Sequence, residues 1–265
     1  MLVKWAKTIK LKLSWDDFLR LPQNPAYKYE YLDGEAWLAP HAKLYHAVLE
    51  LADFRSPEPD LLNDQVQIRR LEDHDWENLP GVFVSAFARV SPFAYLDDEE
   101  QLAAARDCLG FTRSGGNGQI IPDATVVALD PKDGSVVGGF LVTLVPDIPL
   151  SDADFGHVPK KNVSRRQKLV PHLTWVFVKF WSARHGIATA MLAEAAESLR
   201  GLGHTRMTTT FLLGNESSTL WHWRVGFRLA AYSMSQRQFE RRTAKVSSEP
   251  DVASEPTPQR KYAKK

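Results

Sequence analysis

The chain has 265 residues, 44% of them hydrophobic, enough to bury a full core in one large domain or in one domain with a small appendage. Its 33 basic and 32 acidic residues leave a formal charge of +1, so no global field directs it to nucleic acid or to an acidic membrane surface. A single cysteine, Cys108, excludes an internal disulfide and favours a reducing compartment. No stretch approaches the roughly 18 apolar residues of a membrane span, and Met1 to Leu13 alternates lysines with apolar residues unlike a signal peptide. The expectation is a cytoplasmic protein with no nucleic-acid and no membrane partner.

Three zones follow in chain order. Residues 1–63 read as an appendage made of a helix and a β-hairpin. The helix spans Ser14 to Leu21, with Ser14 and Asp17 spaced like a capping box. The hairpin pairs Tyr27-Lys28-Tyr29-Glu30-Tyr31 with Glu35-Ala36-Trp37-Leu38 across Asp33-Gly34, a turn that glycine makes easy. Two strands alone are marginal in water, so this unit should pack on the main domain. His41 and His46 flank a stretch read as helical.

Residues 64–242 carry the main domain. Gln65 to Leu71 reads as a strand, Asp73 to Arg89 as a helix broken near Leu79-Pro80, and Asp97 to Leu109 as a second helix. Ala124 to Ala128 and Val136 to Val145 are β-rich runs joined by the turn Asp130-Pro131-Lys132-Asp133-Gly134. A polar insertion, 146–171, precedes the strand Leu173 to Phe180. Ile187 to Leu202 reads as a helix ending at Gly203, Met207 to Leu212 as a strand, Ser217 to Val225 as a short helix and Phe227 to Tyr232 as a last strand. Helices and strands mixed in this way predict an α/β (α+β) domain, a mixed central sheet flanked by helices. Residues 243–265, rich in Ser, Glu, Pro and Lys, read as a disordered tail.

The chemistry concentrates where the strand around Trp175-Val176-Phe177-Val178-Lys179 runs through Ala183-Arg184-His185-Gly186 into the helix beginning Ile187-Ala188-Thr189. Free N–H groups at a helix start, reinforced by the helix dipole, form an anion site, and Gly186 and Ala188 let a phosphate approach the backbone. The plainer alternative is that Gly186 only opens a helix after a strand. Downstream stands Asn215-Glu216-Ser217-Ser218-Thr219-Leu220-Trp221-His222-Trp223-Arg224-Val225-Gly226-Phe227, in which Asn215 and Gly226 also make sense as helix caps.

Taken together these stretches resemble the GNAT acetyltransferase superfamily. That family runs from a strand through an Arg/Gln-x-x-Gly-x-Gly/Ala turn into a helix. A later strand ends near an Asn, and a helix then carries a Tyr four residues before Gly-Phe. Val66-Gln67-Ile68-Arg69-Arg70-Leu71 and Val136-Val137-Gly138-Gly139-Phe140-Leu141-Val142 look like its first and third strands. The resemblance implies the GNAT fold and an N-acetyltransferase using acetyl-CoA, with no metal. The acyl group would pass directly to an amine in a ternary complex. Phe177, Val178 and Lys179 would then offer backbone groups to the pantetheine arm, with a thioester-polarising N–H near Phe177. Arg184, His185, Gly186, Ile187, Ala188 and Thr189 would hold the pyrophosphate, and Asn215 would sit near the pantetheine or cap its helix. The two strands should splay where Val178 and Phe211 part.

The sequence departs from the family pattern at two positions. Ala183 stands where Arg or Gln is usual, and His222 stands where the thiolate-protonating Tyr is usual; a histidine can act as an acid near neutral pH. The other reading of His222 is a polar helix residue between Trp221 and Trp223. No Glu stands on the strand from Leu173 to Phe180, so the base has no obvious owner; His172 and His204 are alternatives. Trp175, Trp181, Trp221 and Trp223 read mainly as core, one of the last pair lining an acceptor tunnel. The acceptor is a small-molecule amine or a protein, and Lys160-Lys161 and Arg165-Arg166 border its mouth or belong to a solvated loop. Members of the family often form homodimers, and no feature here establishes one. Ala183, His222 and the missing base also fit a non-catalytic acyl-CoA sensor. Finally, Tyr29 to Glu35 with Ala39-Pro40 and His46 resembles the opening of the Uma2 nuclease-like family. Its Pro-Asp would be Pro122-Asp123, but Gly139-Phe140-Leu141-Val142 supplies no further ligand, and Asp123 alone cannot hold two metals.

Overall fold

The computed structural model describes residues 7–22, 27–40, 44–55, 66–147, 168–183, 185–212 and 215–229. The tail 243–265, the basic pairs of the insertion, His41 and Arg184 lie outside these. At the amino-terminal end, β1 (Ile9–Lys12) precedes α1 (Trp15–Arg20), which starts where the Ser14 hydroxyl accepts the Asp17 N–H at 3.2 Å. The strands β2 (Tyr27–Leu32) and β3 (Glu35–Pro40) form the expected hairpin. Asp33 and Gly34 both hold positive φ, 50° and 82°, as a type I′ turn requires. With β1 they make a three-stranded sheet in the order β1-β3-β2. This unit does pack on the rest. Tyr27, Ala36 and Leu38 are buried, Leu212 packs against them, and the Tyr27 ring meets Tyr95 edge-on at 5.6 Å.

The next element corrects the sequence reading. Leu44–Glu50 is a strand, β4, not a helix. Ala47 and Leu49 are buried while His46 and Val48 are only half-buried, a period-two pattern. β4 joins the main sheet, which therefore draws a strand from the 1–63 stretch read as an appendage.

The main sheet is completed by β5 (Gln67–Arg70), β6 (Gln119–Ile120), β7 (Val126–Leu129), β8 (Val136–Pro146), β9 (Leu169–Val178), β10 (Arg206–Leu212) and β11 (Arg228–Leu229). Its order is β11-β4-β10-β9-β8-β7-β5, with β6 on β8. Among the described residues every neighbouring pair is antiparallel except β9 and β10, which run parallel around the crossover helix α4 (Ile187–Gly201). β9 starts four residues earlier than expected, because Leu169 to Pro171 continue the ladder opposite Leu144 to Pro146.

Helices cover both faces, as an α/β domain requires. On one side α2 (Leu79–Phe87) and α3 (Asp98–Arg113) lie over β7 to β9, burying Leu79, Phe83, Leu109, Leu141 and Phe177. The break expected near Pro80 is real: a short 3-10 turn, Asp73–Glu77, precedes α2, and Pro80 sits in the helix's first turn, where a missing N–H costs nothing. α3 opens on a full capping box, Glu100 N–H to Asp97 at 2.9 Å and Asp97 N–H to Glu100 at 3.2 Å. On the other side α4 buries Met191, Leu192, Ala195, Ala196 and Leu199 against Phe140, Leu173 and Met207. It stops at Gly203 (φ 82°), where the His204 N–H returns to the Leu199 carbonyl. Asp75, almost fully buried, is held by both Arg69 nitrogens at 2.6 and 2.8 Å; burial opposes its charge, yet these bonds and the Glu72 N–H keep its carboxyl below the usual range.

Candidate active site

The parallel pair β9 and β10 stays in register only at His172–Thr208 and Leu173–Thr209. Beyond that point the ladder ends, and the Thr209 hydroxyl instead donates to the Leu173 carbonyl at 3.1 Å. β9 continues along β8 to Val178, and β10 continues along β4 to Leu212, so the carboxyl-terminal halves of two central strands part. This is the splay expected between Val178 and Phe211.

The alternation of strand hydrogen bonds fixes which backbone groups face the gap. The Lys179 N–H donates to the Val137 carbonyl at 2.8 Å, which turns the polar groups of Phe177 towards β8. Those of Val176 and Val178 point the other way, into the gap. Of the strand residues expected to offer backbone groups, Phe177 and Lys179 thus turn theirs to β8 and Val178 turns its own to the gap, as does Val176, which only the ladder's phase reveals.

At the same end of the sheet the chain turns into α4. Gly186 takes a left-handed conformation (φ 80°) immediately before the helical Ile187, a pair of backbone states that turns successive N–H groups inward into an anion-holding concavity. His185 and Gly186 are exposed, Ile187 is buried, and Ala188 and Thr189 are half-buried. The Thr189 N–H is already bonded to the Gly186 carbonyl at 2.9 Å, and among the described residues the amides of Gly186, Ile187 and Ala188 have no backbone acceptor. Lys179 holds its ammonium 5.7 Å from the Trp181 ring at the turn's edge.

α5 (Glu216–Arg224) begins after β10 and leans on this turn. Asn215 caps it, its side-chain oxygen accepting the Ser218 N–H at 3.2 Å, so of its two expected roles the structure gives it the cap. Asn215→Ala should cost about 1 kcal/mol of stability, read as a lower thermal midpoint. The Trp221 indole N–H donates to the Thr189 hydroxyl at 3.1 Å, tying α5 to the first turn of α4. Trp223 and Trp181 are 72% and 68% exposed, so neither is the core residue expected of it.

His222 is buried, 2% exposed, and lies flat on Phe211 at 4.1 Å with Trp221 and Phe227 at its edges. Its Nδ1 donates to the Ser218 carbonyl at 2.7 Å, and Nε2 stands 3.5 Å from the Thr209 hydroxyl. Burial lowers its pKa to about 4 despite the Ser218 bond, which works the other way. At neutral pH the ring carries one proton, and that proton is committed. The geometry does not fit the acid expected at this position.

On the opposite face of β9 and β10 a second histidine is placed. His172 Nδ1 lies 3.0 Å from the Thr208 hydroxyl and Nε2 3.4 Å from that of Thr210. Burial, with His46 as a smaller cause, lowers its pKa to about 4. Asp123 pairs with Arg70 at 2.7 Å, and among the described residues no group of three His, Cys, Asp or Glu is placed to hold a metal. No described helix is long and apolar enough to cross a membrane.

No family model matches the chain, and no curated protein matches it. Solved structures of similar chain path include a GCN5-related N-acetyltransferase from Sphaerobacter thermophilus, at 16% identity and a TM-score of 0.44. The match covers 84% of this chain and 56% of that one. A GNAT family acetyltransferase from Brucella melitensis in complex with acetyl-CoA matches at 20% identity and a TM-score of 0.36, over 53% and 72%. PaiA N-acetyltransferase from Thermoplasma acidophilum in complex with coenzyme A matches at 15% and 0.41, over 62% and 89%.

Proposed function

We propose that the protein is an N-acyltransferase of GNAT type that moves an acyl group, with acetyl the first to test, from coenzyme A to an amine. One observation carries the reading: two parallel central strands part beside a helix start whose free amides are gathered by Gly186. A gap of this kind between strands exposes backbone N–H and C=O groups that a pantetheine amide chain can pair with, and the helix start suits a pyrophosphate. In this arrangement the amides of Gly186, Ile187 and Ala188 hold the phosphates and Lys179 adds charge at their edge. Val178 and Val176 line the pantetheine arm, and an N–H of that pair polarises the thioester carbonyl. His222 packs α5 against Phe211 of β10, rather than protonating the thiolate.

Calorimetric titration of acetyl-CoA, followed by thiol release in the presence of amines, tests this. Micromolar binding with turnover is the expected result. Binding without turnover over a broad amine panel favours an acyl-CoA sensor, a reading supported by Ala183 in place of the usual Arg or Gln and by the committed proton of His222. Absence of binding by a folded protein overturns both.

A further inference from the structure

The amino-terminal sheet stands with one foot on each side of the parted strands. Leu212, the last residue of β10, packs against the cluster of Tyr27, Ala36 and Leu38. On the other side the Tyr27 ring meets Tyr95, which ends the short 3-10 turn Phe93–Tyr95 between α2 and α3. That turn belongs to the layer over β9, since Phe93 lies 5.8 Å from Phe83 and Phe83 lies 5.4 Å from Phe177. A third tie, from Lys7 to Glu100 of α3, fixes the same unit to the helical layer. The unit therefore spans from β10 to the cover of β9, on the face of the sheet opposite α4.

A polar group is left over at this seam. Of the three tyrosines on β2, Tyr29 donates to the Pro22 carbonyl at 2.9 Å and Tyr31 to the Leu13 carbonyl at 3.0 Å. Tyr27, the one at the seam, is only 6% exposed, and among the described residues its hydroxyl has no hydrogen-bond partner. A buried hydroxyl without a partner costs stability, so its persistence calls for a physical account. Burial, with Tyr95 and Tyr29 as smaller causes, raises its pKa, so the phenol keeps its proton and offers a donor. Tyr95 is half exposed, and the seam meets solvent there.

Resting on the acyltransferase reading, we propose that this seam holds the acceptor, a small amine with a second polar group to which the Tyr27 hydroxyl donates. Size follows from the span of the unit. A lysine within a protein arrives with chain on both sides, about 3.3 Å per residue, and that chain has to cross the mouth where the unit is tied. A small amine enters beneath it. The chemistry follows from the phenol, which rewards an oxygen or nitrogen that accepts a hydrogen bond, as in an amino alcohol or an amino sugar. Thr210, half-buried and two residues before Leu212, lies on the same face of β10 and adds a second hydroxyl to that side. Tyr27 binds in this arrangement and moves no proton.

Thiol release from acetyl-CoA with ethanolamine, glucosamine, propylamine and a lysine-containing decapeptide, in wild type and Tyr27→Phe, tests the inference. Propylamine replaces the hydroxyl of ethanolamine with a methyl group. Wild type should favour at least one of the two hydroxylated amines over propylamine and the decapeptide by about ten-fold in kcat/KM. Y27F should raise KM for that amine about ten-fold, with kcat changed less than about two-fold and acetyl-CoA bound as in wild type. Its thermal midpoint should not fall, because an orphaned buried hydroxyl is removed. A raised midpoint with unchanged KM would mean that the phenol serves no ligand, and overturns the inference. A preference for the decapeptide or for propylamine also overturns it and leaves the acyltransferase reading standing. Release from none of the four by a protein that binds acetyl-CoA overturns the acceptor class. Failure to bind acetyl-CoA at all removes the underlying reading instead.

Discussion

Replacing Gly186 with Glu should weaken acetyl-CoA binding at least about 100-fold, because one substitution attacks the cradle in two ways. Gly186 sits at φ 80°, where a side chain costs roughly 1–2 kcal/mol. The new carboxylate also sits at the start of α4, where it competes with a phosphate for the amides of Gly186, Ile187 and Ala188. Gly186→Ala separates the two effects. Alanine should carry the same backbone strain, seen as a lower thermal midpoint, yet bind within about ten-fold of wild type because it adds no charge. Equal loss in both variants would mean that backbone conformation, not anion binding, is what Gly186 supplies. Unchanged affinity in G186E would place the coenzyme elsewhere.

Acid should destabilise the fold well above the range where carboxylates titrate. His172 and His222 stay unprotonated in the native protein down to about pH 4, whereas an unfolded histidine takes its proton near 6.5. Between those values the unfolded chain binds protons that the folded chain refuses, so stability is full above pH 6.5 and falls as pH drops towards 4. Each ring contributes at most roughly 3 kcal/mol over that window. His46 acts in the same direction, and Asp75, whose pKa is also lowered, adds its loss only at lower pH. Urea midpoints measured from pH 8 to pH 4 should decline through this interval. His222→Gln and His172→Gln, with no proton to gain, should each flatten the decline. A midpoint constant from pH 7 to 4.5 would show that both rings are solvated or charged in the fold.

Much of the fold was legible because it rests on local signals. Asp33-Gly34 could only be a tight turn, Pro80 and Asp97 mark helix starts, and Gly203 a helix end; each acts through two or three neighbours. β4 was not legible. Leu44-Tyr45-His46-Ala47-Val48-Leu49-Glu50 has Ala, Leu and Glu in quantity, and its strand state is imposed by β10 and β11, far along the chain. The candidate site divides the same way. Gly186 and the helix start after β9 show in the sequence. The turn of the Val176 and Val178 backbone towards the gap, the commitment of the His222 proton and the burial of His172 beside Thr208 and Thr210 depend on ladder phase and on neighbours from other strands.

The place of β4 has a consequence for how the chain is made. Its partner β10 leaves the ribosome roughly 160 residues later, which at 5–20 residues per second is on the order of ten to thirty seconds. Throughout that time a strand with Ala47 and Leu49 on one side has neither of its sheet neighbours. Synthesis therefore exposes a sticky edge until the sheet's last third appears, and a host that translates slowly or lacks holding chaperones should yield more of this protein in aggregates.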